Sequence, residues 1–277
     1  MLFFSSLIFS REGGKKNWYS RYKEEILMKN ILAFSVLVVF LMTLAVSPGF
    51  AQSINRILKK MIDAQGGRKT IESIKDITMT GRVEMPQQGI SGIVTIYKKE
   101  PDKRRIDLDA MGIIITQVYD GQRVVWTDPQ TGDIEDMDEQ QAASMIRQSL
   151  PITAIIDPEK YGVTITCKGK ETVDGKECFM LEQVYRDGYR VIRYVDSDTY
   201  LSVKSRSTIT GPGGSEIQVE QVMSDFRKVD GMTMAYSVTT YYNGSVFNEI
   251  RLREVKFNMG LEDSLFQLKK LTFSRYF

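Results

Sequence analysis

The chain of 277 residues contains no histidine and two cysteines. Without imidazole it can have no histidine-activated serine or cysteine nucleophile, no histidine general base and no histidine-ligated zinc, iron or copper. Two cysteines cannot complete a four-ligand zinc site by themselves. Glycine-rich phosphate loops and the Gly-x-Ser-x-Gly nucleophile motif are also missing from the sequence. We therefore expect a protein with no catalytic residues, no bound metal and no other cofactor.

An excess of one charge is missing as well. Lys and Arg number 37 against 35 Asp and Glu, which gives a net charge of +2. Nucleic-acid-binding proteins gain much of their affinity by neutralising phosphates with basic side chains. Hydrophobic residues make up 42% of the chain, which is ordinary for a globular protein. The composition thus predicts a globular protein that does not bind nucleic acid.

The longest uncharged hydrophobic run covers residues 31–46. Its 16 residues are few for a membrane-spanning helix, which needs about 20. Lys29 precedes the run, and the small residues Gly49 and Ala51 follow it. This order is typical of a secretory signal peptide that is cleaved after Ala51. The run is therefore predicted to be an export signal rather than a membrane anchor.

Met28 begins the signal, so we expect it to be the true start and residues 1–51 to be absent from the mature protein. A longer signal that starts at Met1 would release the same product. Since no cysteine lies near the cleavage site, we expect no lipid anchor there. The mature chain, residues 52–277, is then a nearly neutral, soluble, exported protein.

Export places Cys167 and Cys178 in an oxidising compartment, where they could pair. The segment 163–185 is predicted to be a hairpin that turns at Asp174-Gly175. In that hairpin the two cysteines lie about four residues out of register, which is too far for an unstrained disulfide. We expect two unpaired thiols.

Two segments have the periodicity of amphipathic helices. Residues 53–65 form the first, which Ser53 can cap and Gly66-Gly67 ends. The second follows Asp138, which makes a capping pair with the residue three positions later, and ends at a proline. Its predicted apolar face consists of Ala142, Met145, Ile146 and Leu150.

Alternation of apolar and polar residues predicts about five strands within residues 77–127 and seven within 163–257. Short turns between strands imply consecutive antiparallel pairing, and so wide a sheet must curl or close. The predicted fold is mainly β, a curved antiparallel half-open β-barrel with helices lidding the concave face. One domain, 52–268, is followed by a loose tail, 269–277. The concave apolar surface is either a packed core or a ligand cavity.

Two clusters of charged residues are interpreted as structural and not as binding or catalytic sites. The acidic stretch from Asp128 to Glu139 lacks the ligand spacing of a calcium-binding EF-hand, so its carboxylates are assigned to turns and a helix cap. The basic cluster from Lys98 to Arg105 is interpreted as a solvated sheet edge that discourages pairing with another sheet.

Several short motifs follow one another along the chain. They are Gly66-Gly67, the strand–turn–strand from Gly92 to Asp107, Tyr119-Asp-Gly-Gln-Arg-Val-Val-Trp126, Asp128-Pro-Gln-Thr-Gly132, Asp225-Phe-Arg-Lys-Val-Asp-Gly231, Asn258 and Leu261-Glu-Asp-Ser-Leu-Phe266. In this order, over residues 53–268, the chain resembles the LolA-like superfamily of outer-membrane lipoprotein carriers and lipoprotein-sorting proteins. The resemblance implies a half-open barrel closed by helices, a hydrophobic cavity for acyl chains, and transport or sensing of a lipidated molecule in the periplasm.

One position departs from that superfamily. In the well-studied carriers a basic residue immediately precedes the proline at the exit of the second strand and helps to hold the lid. Here Glu100 precedes Pro101, with Lys98 and Lys99 just upstream. Control of the lid by that basic residue therefore does not transfer to this chain.

Ten apolar residues are candidates for the ligand cavity: Met79, Val83, Val94, Ile96, Ile106, Leu108 and Ile115 from the sheet, and Met145, Ile146 and Leu150 from the lid helix. The expected function is that of a monomeric, non-catalytic periplasmic carrier of acylated lipid or lipoprotein cargo. Such a carrier would meet envelope proteins of the inner and outer membranes. The alternative is an envelope sensor or interaction module with the same fold and a filled core.

Overall fold

The computed structural model of the protein describes residues 49–268. Within this range the α-helices are α1 (Gly49–Ala64), α2 (Arg68–Ser73) and α3 (Glu139–Ser149). The strands are β1 (Asp76–Met85), β2 (Ile90–Lys99), β3 (Lys103–Ala110), β4 (Ile113–Tyr119), β5 (Val124–Thr127), β6 (Ile134–Asp136), β7 (Val163–Val173), β8 (Lys176–Tyr185), β9 (Arg190–Asp196), β10 (Ser202–Thr210), β11 (Glu216–Val229), β12 (Met232–Tyr242) and β13 (Ser245–Phe257). Most of the predicted export signal and the predicted tail lie outside the described residues.

These strands form one antiparallel sheet of 13 strands in the order β6-β5-β4-β3-β2-β1-β13-β12-β11-β10-β9-β8-β7. Neighbours in the sheet are neighbours in sequence, except that β1 pairs with β13. The sheet is curved and does not close, so β6 and β7 remain as its edges. The predicted fold class, a mainly β half-open barrel with a few helices, is confirmed. Strand β6 is not predicted from the sequence, because its three residues are too few to show alternation.

The chain passes from the edge strand β6 to the opposite edge strand β7 through α3 and two 3-10 turns, 152–155 and 159–161. On the way α3 packs against β3, β4 and β5. Within residues 49–268 none of the helices has the length and hydropathy that crossing a bilayer would require.

Helices α1 and α2 bury their apolar faces against strands other than those that α3 packs against, namely β1, β8, β9, β12 and β13. Ile57 and Met61 of α1 pack with Leu181 of β8 and Val195 of β9. Ile71 of α2 is fully buried in a second cluster formed with β1, β12 and β13. Burial of side chains of this size contributes about 1.5–3 kcal/mol each, which fixes both helices to the sheet. The predicted helix is confirmed, but α1 begins at Gly49, so Ser53 lies within the helix and the prediction that it caps the helix is wrong.

Gly66 does more than end α1. Its φ is +126°, and a Cβ at this position would lie 2.4 Å from the backbone oxygen of Gly231. The backbone hydrogen bond from Thr233 N to Gln65 O, 3.0 Å long, holds the two segments together at this contact. Only glycine fits this conformation and this approach without strain.

The two cysteines are free, as predicted. In the β7–β8 register Cys178 is opposite Glu171, four residues from Cys167, which is itself opposite Leu181. The thiols pack in different hydrophobic clusters, and burial raises the pKa of Cys178.

Candidate functional site

A cavity of about 770 Å³ lies between the concave face of the sheet and α3, and we refer to it as the main cavity. Its floor is aliphatic and is formed by Val83 of β1, Val94 of β2, Ile106 and Leu108 of β3, Ile115 of β4 and Ile250 of β13. Val94 pairs with Leu108, and Leu108 with Ile115. Residues directly opposite each other in antiparallel strands share a face, so this register creates a continuous aliphatic row.

The remaining walls differ in character. Met85, Trp126, Tyr242 and Phe247 add large apolar surface, and the rings of Tyr242 and Phe247 stack with centroids 4.1 Å apart. The lid contributes polar side chains, Gln141, Ser144 and Gln148 of α3. The main cavity therefore has an apolar floor and a partly polar lid.

The structure brings six of the ten predicted site residues to the main cavity: Val83, Val94, Ile106, Leu108, Ile115 and Met145. The other four lie elsewhere. Met79 and Ile96 pack in the same hydrophobic cluster as the floor residues, with Ile96 directly opposite Ile106, but they do not line the cavity. Ile146 is 43% exposed at the surface, and Leu150 lines a separate, smaller cavity.

The orientation of α3 explains why Ile146 was placed wrongly. Asp138 caps the helix by accepting a hydrogen bond from Gln141 N at 3.0 Å, as predicted. Met145 is buried against Tyr119 and Val124, and the hydroxyl of Ser149, one turn later, is buried and donates to Met145 O at 2.7 Å. The inward stripe therefore runs along 142, 145 and 149. The next residue after Met145 points about 100° away, towards solvent.

The aromatic wall of the main cavity is not among the predicted site residues; it consists of Trp126, Tyr242 and Phe247. Tyr242 and Phe247 flank the Asn243-Gly244 turn of a predicted hairpin. The alternation of residues within each strand assigns both rings to one face of the hairpin. Nothing in the hairpin's own sequence shows that β13 pairs with β1, and this pairing brings the rings to the main cavity.

Three charged side chains hold the C-terminal end of α3 and the turn after it. Lys98 Nζ donates to Leu150 O at 2.9 Å, and Arg104 Nη1 donates to Gln148 O at 3.4 Å. Glu100 Oε1 accepts a hydrogen bond from Ile152 N at 2.9 Å. The last carbonyls of a helix have no partner within it, and cations stabilise that end. An acidic side chain at position 100 thus contacts an amide donor, while the two cations contact carbonyls.

Burial shifts the pKa values of Lys98, Glu100 and Arg104. Desolvation, together with repulsion from Arg104, lowers the pKa of Lys98 to about 8. Desolvation also lowers the pKa of Arg104 to about 10 and raises the pKa of Glu100. Among residues 49–268, Arg104 Nε is buried and has no hydrogen-bond partner. The interpretation of the basic cluster as a solvated edge is therefore wrong for these residues.

The rest of the basic cluster also makes specific contacts. Lys99 and Lys103 both pair with Asp263, at 2.7 and 2.9 Å, and lower its pKa to about 2. Arg105 Nη1 donates to Leu265 O at 2.9 Å. These contacts fasten the 3-10 turn at 263–266 to β2 and β3.

The acidic stretch has the structural roles that were predicted for it. Asp128 accepts hydrogen bonds from Gln130 N and Thr131 N within a turn, Asp136 pairs with Arg123, and Asp138 caps α3. Among the residues that the structure describes, no group of three or more Cys, Asp or Glu side chains is arranged to hold a metal ion.

No protein-family model matches the sequence, and no curated protein matches it significantly. Solved structures do match. A LolA superfamily protein from Nitrosomonas europaea is similar with a TM-score of 0.55 and 13% identity, over 79% of this chain and 98% of that one. A DUF1329 family protein from Desulfovibrio piger gives a TM-score of 0.54 and 17% identity, over 77% and 96% of the two chains.

A third similar structure is a domain classed with outer membrane lipoprotein-sorting proteins, from Vibrio parahaemolyticus. It has a TM-score of 0.51 and 14% identity, over 76% of this chain and 94% of that one. At these identities the likeness concerns the fold. The resemblance to the LolA-like superfamily is thereby confirmed for the architecture.

Proposed function

We propose that the protein is an exported, non-catalytic binder or carrier of acylated molecules that works in the periplasm. The observation that carries this proposal is the main cavity, a space of about 770 Å³ between an aliphatic floor and the 11-residue helix α3. Ligand sites of about 300–1,000 Å³ with apolar walls and a few polar groups are typical of small-molecule binding.

The energetics suit an acyl chain. Each methylene removed from water contributes about 0.8 kcal/mol, so ten methylenes in the main cavity would contribute about 8 kcal/mol before the cost of association. Gln141, Ser144 and Gln148 could then hydrogen-bond the ester or amide groups where the chain joins its cargo. Met85 and Met145 provide flexible side chains that can adapt to different chains.

A second candidate function is an envelope interaction module, and the hairpin between β3 and β4 favours it. Met111, Ile113 and Ile114 at its tip are 76, 48 and 62% exposed. Apolar side chains grouped on the surface in this way are typical of contact sites. In this case an inner- or outer-membrane envelope protein would be the partner.

Native mass spectrometry with lipid extraction tests the first function. The protein recovered from a periplasmic fraction should have the mass of a chain that begins at Gln52 and should carry an extractable acyl lipid or lipopeptide. Recovery of an apo protein that also fails to take up a fluorescent fatty acid would reject the carrier and leave the interaction module.

A pair of neighbouring substitutions locates the binding. Ile115→Asp places a carboxylate in the main cavity, and we expect fatty-acid affinity to fall by at least tenfold because the charge would be desolvated. Ile114→Asp is the matched control, since this side chain is on the other face of β4 and 62% exposed. Equal affinities for the two folded variants would contradict a site on the concave face.

A further inference from the structure

A second cavity, of about 220 Å³, lies on the opposite side of α3 from the main cavity. It is lined by Arg147 and Leu150 at the end of α3, by Met61 of α1, and by residues of β7 to β9. We refer to it as the arginine cavity, because Arg193 of β9 also lines it. Its aliphatic walls include Leu58, Ile155 and Ile165.

Arg193 is held in a fixed position. Its Nε and Nη2 both donate to Gln183 Oε1 at 3.2 Å, and its Nη1 donates to Ser202 Oγ at 3.3 Å. These are neutral acceptors. A guanidinium has five N–H donors, so two remain after these three bonds. The side chain is thus oriented by its neighbours and still able to bind.

The charge of Arg193 has no counterpart in the cavity. Arg147, the other cation of the lining, pairs with Asp187 and lies over the Tyr189 ring, 3.9 Å from its centroid. For Arg193, by contrast, no carboxylate of residues 49–268 lies within ion-pair distance, and the cavity lining includes no Asp or Glu. The cavity therefore keeps one positive charge without a partner.

These features define a ligand. Two free donors on one planar guanidinium match the two oxygens of a carboxylate. The aliphatic walls match a hydrocarbon tail. At about 30 Å³ per water molecule, the volume corresponds to about seven waters, which is the scale of a ligand with about ten non-hydrogen atoms.

We propose that the arginine cavity binds a short aliphatic monocarboxylate of about eight carbons, with its carboxylate on Arg193 and its tail against Leu58, Ile155 and Ile165. This site is separate from the main cavity, and the proposal does not depend on the acyl-carrier function.

Isothermal titration calorimetry with sodium octanoate and with the neutral isostere 1-octanol tests the proposal. The wild-type protein should bind octanoate at least tenfold more tightly than octanol, because a charge-assisted pair adds to the contact of the tail. Arg193→Met should reduce octanoate affinity by about tenfold to a hundredfold and leave octanol affinity nearly unchanged. Equal binding of both ligands by the wild type would overturn the proposal.

Arg190→Met is the matched control. Arg190 lies on the same strand but on the other face, is largely exposed and pairs with Glu182, so octanoate affinity should not change. Ala154→Leu supplies a second test that leaves Arg193 intact, since Ala154 lines the cavity and a larger side chain would fill it. This variant should lose both ligands.

Unchanged octanoate binding by Arg193→Met or by Ala154→Leu would overturn the site, and thermal unfolding of each variant verifies that it is folded. Loss of octanoate binding in Ile115→Asp together with full binding by Arg193→Met would place the ligand in the main cavity and overturn the proposal for the arginine cavity.

Discussion

Replacing Lys98 with methionine is expected to change how the stability of the protein depends on pH. Lys98 Nζ donates to Leu150 O, and burial with repulsion from Arg104 lowers the pKa of Lys98 to about 8 in the folded protein. In the unfolded chain the pKa of this side chain takes its ordinary value of 10.5. The folded protein therefore binds this proton less tightly than the unfolded chain does.

The sign of the effect follows from this difference. Between about pH 8 and pH 10.5 the unfolded chain is protonated at Lys98 and the folded protein is not, so the free energy of unfolding rises with pH. Below pH 8 both states are protonated, and the cost of burying the ammonium is present in full. The separation of the two pKa values corresponds to about 3 kcal/mol.

Urea unfolding followed by circular dichroism at pH 7 and pH 10.5 measures this quantity. The free energy of unfolding of the wild type minus that of Lys98→Met should grow by about 3 kcal/mol between the two pH values. Groups that titrate in this range without contacting Lys98 are common to both proteins and cancel. Lys99→Met, which removes the adjacent lysine from its contact with Asp263, is the control and should show no comparable growth. A difference that is the same at both pH values would refute the burial of the Lys98 ammonium.

Two further substitutions test the local structure that positions the site. Asp138→Ala removes the cap of α3 and should lower the free energy of unfolding by about 0.5–2 kcal/mol in urea unfolding, whereas Asp138→Asn should preserve most of it; equal losses for both would contradict capping. Gly66→Ala should lower the thermal midpoint clearly, because φ is +126° and the added Cβ would meet Gly231 O at 2.4 Å. Gly67→Ala has open space around its Cβ, so an equal loss there would show that the contact with Gly231 is unimportant.

The candidate site was predictable to the extent that it depends on alternation within single strands. Val94, Leu108 and Ile115 were found because residues two apart on a strand share a face, and short turns fix the register of neighbouring strands. Tyr242 and Phe247 were missed because they reach the main cavity only through the pairing of β13 with β1. Arg193 was missed because nothing near it in sequence indicates that it lacks an acidic partner.

Helix α3 likewise has one feature that the sequence predicts and one that it does not. The capping residue Asp138 was predicted because its partner is three residues away. The direction in which α3 faces was not, since it depends on how Met145 fits against Tyr119 and Val124. An amphipathic pattern with apolar residues at 145 and 146 is compatible with either side chain facing inward, and packing against the sheet decides between them.

The sequence by itself determined the strands other than β6, the turns between them, the cap of α3 and the unpaired cysteines, because each of these depends on residues a few positions apart. Only the tertiary structure decided that β1 pairs with β13, that α3 lies between two cavities, and that Lys98 and Arg104 donate hydrogen bonds to the carbonyls at the end of α3. These features depend on contacts between segments far apart in the chain. The local pattern of residues specifies neither which distant strands pair nor how the connecting helix packs on the curved sheet.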